Sequence, residues 1–419
     1  MVVNGTEKYI TTEAGLMPID WEVKNLGVLS IEGAVKLYRG RVISKGDIAK
    51  CPGEYPIYSS SVKDNGYMGS YGKYDLDEEM ITWSVDGGGN FFFRERHKFS
   101  VTNVSGYLRI ISDKILPKYF FYQLEFLHSA KEFDYQNKAH PSVIKHQYYI
   151  PLPTFSEQLA IAEALSDMDS LIKAQEALIE KKRAIKQGAM QELLTGRKRL
   201  PGFEGQWAEV RIGDTFSLLS TASNSRAELS DSGEIGYIHY GDIHTGLKGR
   251  LNTRQYNLPK ISANKVTGIP KLSVGDLIIA DASEDDNGIG WGVEITGLGF
   301  QPVVAGLHTI VLRPRGTFLA PGYASLLQES QSYKNQMKEI ATGVSVFGIT
   351  KSQLQRVKLQ LPEVDEQSAI AMIVIEMDNE IAGLQENLSK TRLIKQGMMQ
   401  ELLTGRIRLK KSIPETSEL

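Results

Sequence analysis

The chain lacks the residue patterns that catalysis or metal binding usually needs. One cysteine, Cys51, stands in 419 residues, which excludes an internal disulfide and a thiolate metal cluster. No apolar run is long enough to span a bilayer, and the opening "MVVNGTEKYITTEAG" lacks a basic-then-apolar signal pattern, so a cytoplasmic location is expected. Charge of one sign is also missing. The net charge is −2, and residues 1–154 hold 18 Lys+Arg against 18 Asp+Glu, while 201–362 hold 15 against 15. Any nucleic-acid binding must therefore use local patches or a partner's help. There is no phosphate-cradling G-x-x-x-x-G-K-[ST], no His or Cys pair at metal spacing and no G-x-S-x-G turn. No Pro-Pro pair occurs, so the Asn/Asp-Pro-Pro-aromatic signature of base-flipping adenine methyltransferases is absent. "DGGGNF" (residues 86–91) lacks a strand-to-helix setting and is expected to be a turn between strands. His239 and His244 are expected at strand edges, and "ASEDDNG" (282–288) does not have calcium-loop spacing. A non-catalytic chain without metal or bound cofactor is expected.

What the chain does have is a long internal repeat. Residues 157–200 match 366–409 at 24 of 44 positions, a period too long for a solenoid and suited to a duplicated half-protein. Identity is uneven: 10 of 28 positions over 157–184, then 14 of 16 over 185–200. Apolar residues at Leu165, Met168, Ile172 and Ile179, and at Val374, Met377, Ile381, Leu384 and Leu388, follow heptad spacing. Ser156 and Asp365 are expected N-caps, and Gly196 and Gly405 expected C-terminal stops. Each helix should run for about 40 residues, roughly 60 Å, and the two are expected to pair antiparallel as a coiled coil.

The intervening segments read as short strands punctuated by glycine, asparagine and aspartate, such as "EEMITWSV", "GYLRIIS", "GDLIIADAS" and "HTIVLRP", with helical stretches at "PKYFFYQLEFLHSAKEF" and "PGYASLLQESQSYKNQM". Each half opens with Trp-x5-Gly, at Trp21 and Trp207. The expected architecture is mixed α/β with a pseudo-two-fold: α+β domains at 1–154 and 201–362, and helical regions at 155–200 and 363–419.

The halves have diverged in their domains and kept their helices, so the domains would do two versions of a task while the helices do one task twice. A seam needs only apolar residues, and the polar identities in the last sixteen positions point instead to one partner protein docked twice. The candidate partner-binding residues are Lys186, Gln187, Gln191, Glu192, Leu193 and Leu194, with Lys395, Gln396, Gln400, Glu401, Leu402 and Leu403 in the second copy. Thr195/Thr404 and Arg197/Arg406 belong to the same identical block.

Glycine-rich loops that interleave polar, basic and aromatic side chains recur in both domains, and these residue types hold phosphates and read base edges. The candidate DNA-binding residues are Lys63, Asn65, Tyr71, Lys73, Arg94, Arg96 and Lys98 in the first half. Those in the second are Asn224, Arg226, His244, Lys248, Arg250, Ser345 and Lys351. "YQNKAH" (135–140) has the same texture.

The two openings "LPTFSEQLAIAEALSDMDSLI" and "LPEVDEQSAIAMIVIEMDNEI", the two closings "KQGAMQELLTGR" and "KQGMMQELLTGR", and the P-x-x-W and P-x-x-x-x-x-W domain entries resemble the specificity subunit of type I restriction-modification systems over nearly the whole chain. The resemblance implies two target-recognition domains that each read half of a bipartite DNA sequence, and helices that set the spacer. It also implies two methyltransferase subunits docked on those helices, and two restriction-translocase subunits in the full complex. S-adenosylmethionine, ATP and magnesium would sit on those partners. Two alternatives are a coiled-coil scaffold spacing two protein-binding domains, and a self-sufficient nuclease or methyltransferase.

Overall fold

The structure, a computed structural model, describes residues 8–86, 88–133, 138–247, 249–284 and 288–409. It divides into two compact units, residues 1–176 with 386–419 and residues 177–385, so the division falls inside each long helix.

In the first unit a hairpin, Tyr9–Thr12 with Gly15–Pro18, leads past Trp21 into strand Glu22–Asn25. That strand pairs antiparallel with Tyr149–Leu152, the last strand before the central long helix. Between these ends lie two four-stranded sheets. One runs Val35–Arg39, Ser105–Ile110, Met80–Ser84, Phe91–Arg94 in spatial order, and the other Tyr67–Tyr71, Tyr55–Tyr58, Lys98–Val101, Leu76–Asp77. Met80–Ser84 is an inner strand buried at every position, which is why "MITWS" shows no apolar-polar alternation. The core joins Trp83 and Leu108 of the sheet to Tyr119 and Phe120 of helix Pro117–His128 and to Leu165 of the long helix.

The second unit repeats this plan with other residues. Strand Ala208–Arg211, just after Trp207, pairs antiparallel with Lys358–Leu361, just before the C-terminal long helix. Between them a five-stranded sheet runs Phe216–Leu219, Thr309–Pro314, Leu277–Ala280, Gly292–Gly297, Gly249–Asn252, beside a three-stranded sheet, Lys260–Ile261, Ile235–Ile238, Val303–Ala305. The two expected helical stretches form Pro117–His128 in the first unit, and Ala324–Leu327 and Gln331–Ile340 in the second.

Both long helices have 39 residues, Phe155–Leu193 and Val364–Leu402. The first begins one residue before the expected cap: Thr154 Oγ1 accepts from the Glu157 amide, and Ser156 lies inside the first turn. Asp365 is likewise inside its helix. Gly196 and Gly405 end the helices with φ of +67° each, the left-handed geometry glycine supplies without strain. A side chain at Gly405 would also meet Pro18 Cγ at 2.5 Å and Trp21 Cζ2 at 3.1 Å.

Half-buried or buried positions continue the 3,4 spacing beyond the apolar residues, through Gln175, Lys182 and Lys186 in one helix and Thr391 and Lys395 in the other. Within the first unit, Glu176 meets Arg392 at 2.6 Å, Asp169 meets Lys395 at 2.7 Å, and Glu157 meets Arg408 at 2.6 Å. Numbers rise on one segment as they fall on the other, so the two run antiparallel there. In the second unit Lys182 pairs with Glu380 at 2.6 Å and Lys186 with Asp378, in the same sense.

The duplicated "EQ" and the final Arg of "GRxR" do matched work in each unit. Glu157, 2% exposed, accepts from Trp21 Nε1 at 3.3 Å and from Arg408 Nε and Nη2 at 2.6 and 2.7 Å. Glu366, 1% exposed, accepts from Trp207 Nε1 at 3.2 Å and from Arg199 Nε and Nη2, both at 2.7 Å. Gln158 holds the Leu116 amide and the Lys114 and Pro153 carbonyls; Gln367 holds the Ala320 amide and the Phe318 and Pro362 carbonyls. A bidentate Arg-carboxylate pair is strong and directional, and removing one partner strands a buried charge at a cost of about 3–5 kcal/mol.

Glu157→Ala is therefore expected to destabilise the first unit by about 3 kcal/mol, with faster hydrogen exchange around Trp21 and residues 403–409. An unchanged melting temperature and unchanged exchange there would show that the clamp carries no weight.

Candidate nucleic-acid interface

The sequence candidates separate into residues that face solvent and residues that hold the facing residues in place. In the first unit Lys63, Asn65, Lys73 and Lys98 are exposed, and Arg96 is exposed with only a loose contact to Asp77 at 3.8 Å. Tyr71 and Arg94 are interior. Tyr71 is 2% exposed and bonded to Arg41 and to Ser100 Oγ.

Arg94 lies 3.7 Å from the Tyr58 ring centroid, donates from Nε to Thr82 Oγ1 at 3.0 Å and from Nη2 to the Asn65 carbonyl at 2.6 Å. None of these partners is a carboxylate, and burial pushes its guanidinium down to about 10. What it holds is a short turn, Lys63–Gly66, in which Asp64 and Asn65 adopt φ of +50° and +51°. Two consecutive non-glycine residues in that region cost on the order of 1 kcal/mol each, so the turn depends on its support from below. It shows Lys63 and Asn65 to solvent beside the exposed side chains of Tyr67 and Met68, while the exposed Tyr74 packs on Tyr55 at the other end of the hairpin this turn closes. Those three were not among the sequence candidates; the signal was present, since apolar and aromatic residues in a polar loop have no core to enter. Lys98 Nζ sits 4.8 Å from the Tyr74 ring.

In the second unit, Asn224 Nδ2 donates to Glu228 Oε1 at 2.9 Å, and together with the Ser225 amide this holds Glu228 at about 2. Arg226 is exposed but tethered to Asp242 at 2.5 Å, whose other oxygen accepts from the His239 amide. His244 Nε2 faces the Ala282 carbonyl at 2.9 Å. Lys351 is exposed in a short helix capped by Thr350, with Nζ 3.4 Å from the Leu219 carbonyl. Ser345 is exposed on a loop with Val344 and Val346, both solvent-facing. Arg250 joins edge strand Gly249–Asn252 to the C-terminal helix through Asp378 at 2.7 Å, beside Lys186. Its charge is used inside the fold. Lys248 lies outside the described residues, as do Tyr135–Asn137 and the acidic centre of "ASEDDNG". Among the described residues no group of three His, Cys, Asp or Glu could hold a metal ion, and no helix is long and apolar enough to cross a membrane.

The duplicated block also separates. Leu193, Leu194, Leu402 and Leu403 are buried in the cores of their units. Lys186 and Lys395 pair with Asp378 and Asp169, and Thr195 and Thr404 bond back to the Gln191 and Gln400 carbonyls. Intramolecular packing thus accounts for residues whose identity the sequence assigned to a partner. Gln187, Gln191, Glu192, Gln396 and Gln400 remain exposed, and Glu401 is half-buried near Arg406.

The family model "Type I restriction modification DNA specificity domain" matches residues 18–181 and again 204–391, once per duplicated half. The chain belongs to this family. It is a type I specificity subunit. Curated relatives include the MjaVIII type I restriction enzyme specificity subunit of Methanocaldococcus jannaschii, 24% identical over 94% of each chain. A type I specificity subunit N-terminus from Mycoplasma pneumoniae, S.MpnORF289P, is 43% identical over 96 residues, 22% of this chain and 51% of that protein. The fold is similar to that of the type I S subunit of M. genitalium, with a TM-score of 0.57, 17% identity, and 96% and 98% of the two chains covered.

If Arg94 supports the turn, Arg94→Met should cost roughly 2 kcal/mol through the unpaired Asn65 carbonyl and lost stacking and speed hydrogen exchange over residues 59–71. Lys63→Ala should stay within about 0.5 kcal/mol; equal effects of the two would remove the distinction drawn between support and surface.

Proposed function

We propose that each unit of this specificity subunit reads one half of a bipartite DNA sequence, and that the long helices set the unread spacer and dock two methyltransferase subunits. The observation that carries this reading is a shared frame with unlike loops. Both units close with the same Trp-Glu-Arg clamp and the same pairing of the strand after the Trp with the strand before the long helix. Between those points the first presents the Lys63–Gly66 turn and Lys98, the second Arg226, Ser345 and Lys351. One frame carrying two surfaces suits an asymmetric target. S-adenosylmethionine, ATP and magnesium would be bound by the methyltransferase partners and by two translocase-nuclease subunits. Near-neutral charge fits a reader whose partners supply much of the phosphate contact.

Two identical docking sites are supported by what internal packing leaves over. Gly188 and Gly397 lie inside the helices, and a Cβ at either position would have nothing within 4 Å, although an interior glycine costs about 1 kcal/mol relative to alanine. Each is flanked by exposed identical glutamines, Gln187 and Gln191 or Gln396 and Gln400. In the second unit Gln187 and Gln191 also line a cleft of about 620 Å³ with Arg183 and Lys334. A glycine in that setting lets a partner approach the helix backbone.

Methylation mapping in cells carrying the chain and its partners should give a split motif. Arg226→Ala should relax specificity in one half only; loss at both halves together would contradict independent readers. Gly188→Arg and Gly397→Arg should each lower the number of bound methyltransferase subunits from two to one by native mass spectrometry, and an unchanged mass would reject this docking face.

A further inference from the structure

The second unit carries an aromatic-tipped cleft that none of the candidates above includes. It lies between the segment following strand Gly249–Asn252 and the loop joining Gly292–Gly297 to Val303–Ala305, and encloses about 830 Å³. At its rim Phe300 is fully exposed, and Tyr256 is 46% exposed. The remaining rim side chains are Arg254, Gln255, Asn257 and Gln301, and among the described residues no carboxylate lines the cleft.

The loops that carry these residues are tied together. The Thr253 amide donates to the Gly297 carbonyl at 2.9 Å, the Gly299 amide to Thr253 Oγ1 at 2.9 Å, and Arg254 Nε to the Leu298 carbonyl at 2.9 Å. Gln301 Nε2 donates to the Gly233 carbonyl at 2.9 Å, and the Pro302 carbonyl accepts from Gly236. An exposed ring carried on a cross-braced loop is partly pre-organised for contact, because little loop entropy is left to lose on binding.

We propose that this cleft is a base-step contact of the second reading domain, with Phe300 as a wedge that stacks on or between bases and Arg254 meeting the adjacent phosphate. It rests on the reading of the unit as a DNA reader. The side chains fit: an aromatic face stacks with any base, apolar wedges open base steps, amides of Gln255, Asn257 and Gln301 match base edges, and a guanidinium matches phosphate. A protein partner is the other class that could cover an exposed phenyl ring. A lining with one fixed cation and no acidic side chain among the described residues favours the polyanion.

The test uses the full chain assembled with its partner subunits and a duplex carrying the mapped split motif. Phe300→Ala should bind that duplex about ten- to a hundredfold more weakly with unchanged partner stoichiometry. The base analogue 2-aminopurine, stepped through the second half-site, should brighten with the wild-type complex at one step and not with the variant. Phe300→Trp should restore affinity and show indole quenching on adding the motif. Wild-type affinity for Phe300→Ala, or loss of a partner subunit instead of DNA affinity, would overturn the wedge while leaving the two-reader model intact. Failure of the wild-type complex to prefer the split motif would remove that model, and the wedge with it.

Discussion

A buried carboxylate that two unlike donors must reach at once organises this protein. Glu157 sits in the interior with Arg408 meeting both of its oxygens and Trp21 donating to one, so its desolvation is offset only while all three segments are in place. Glu366 is in the same position with Arg199 and Trp207. Each clamp draws together the entry to a domain, the start of the helix that leaves it, and the end of the other repeat's helix; Glu157 is 136 and 251 positions from its partners, and Glu366 is 159 and 167 from its own. A domain with both of its ends fixed by the clamp and by the pairing of its entry and exit strands can vary between them. That separation explains why the repeat kept "EQ" and "TGRxRL" while the intervening sheets and loops diverged.

Much of this was legible in the sequence, and what was not has a common cause. Periodicity marked both helices to within two residues, and the glycines at 196 and 405 marked their ends, because both signals are local. The strand texture of "MITWS" and "TIVLRP" was readable for the same reason. The clamp was not, because Glu157 and Arg408 are 251 positions apart. Without that pairing, the identical polar residues looked as if they needed an external partner, and part of that identity belongs to internal contacts such as Lys186 with Asp378 and Lys395 with Asp169. The identity of residues that packing accounts for carries no information about docking. Only the remainder does, namely the exposed glutamines and the unencumbered Gly188 and Gly397.

The candidate DNA-binding residues divide along a similar line, into exposed and interior side chains. Composition finds the residue types that contact nucleic acid but does not distinguish side chains that reach out from those that reach in. Arg94 and Arg250 have the right chemistry and face the wrong way, one beneath a strained turn and one against a helix aspartate. Phe300 was overlooked because a single phenylalanine in "GLGFQP" reads as core until its exposure is known.

These supports say something about how a near-neutral reader discriminates. With little net charge to supply long-range attraction, the DNA contacts proposed for this chain are local ones, and their value depends on how much of their geometry is fixed before DNA arrives. Both units have the means. Arg94 holds the carbonyl of Asn65 beneath a turn that would otherwise relax, and five side-chain and backbone bonds brace the loops at Arg254 and Phe300. A flexible loop of the same composition would bind more weakly to every sequence, since its ordering cost falls equally on right and wrong targets. A rigid one leaves mismatched polar groups unpaired on the wrong target, and that penalty is what separates one sequence from another.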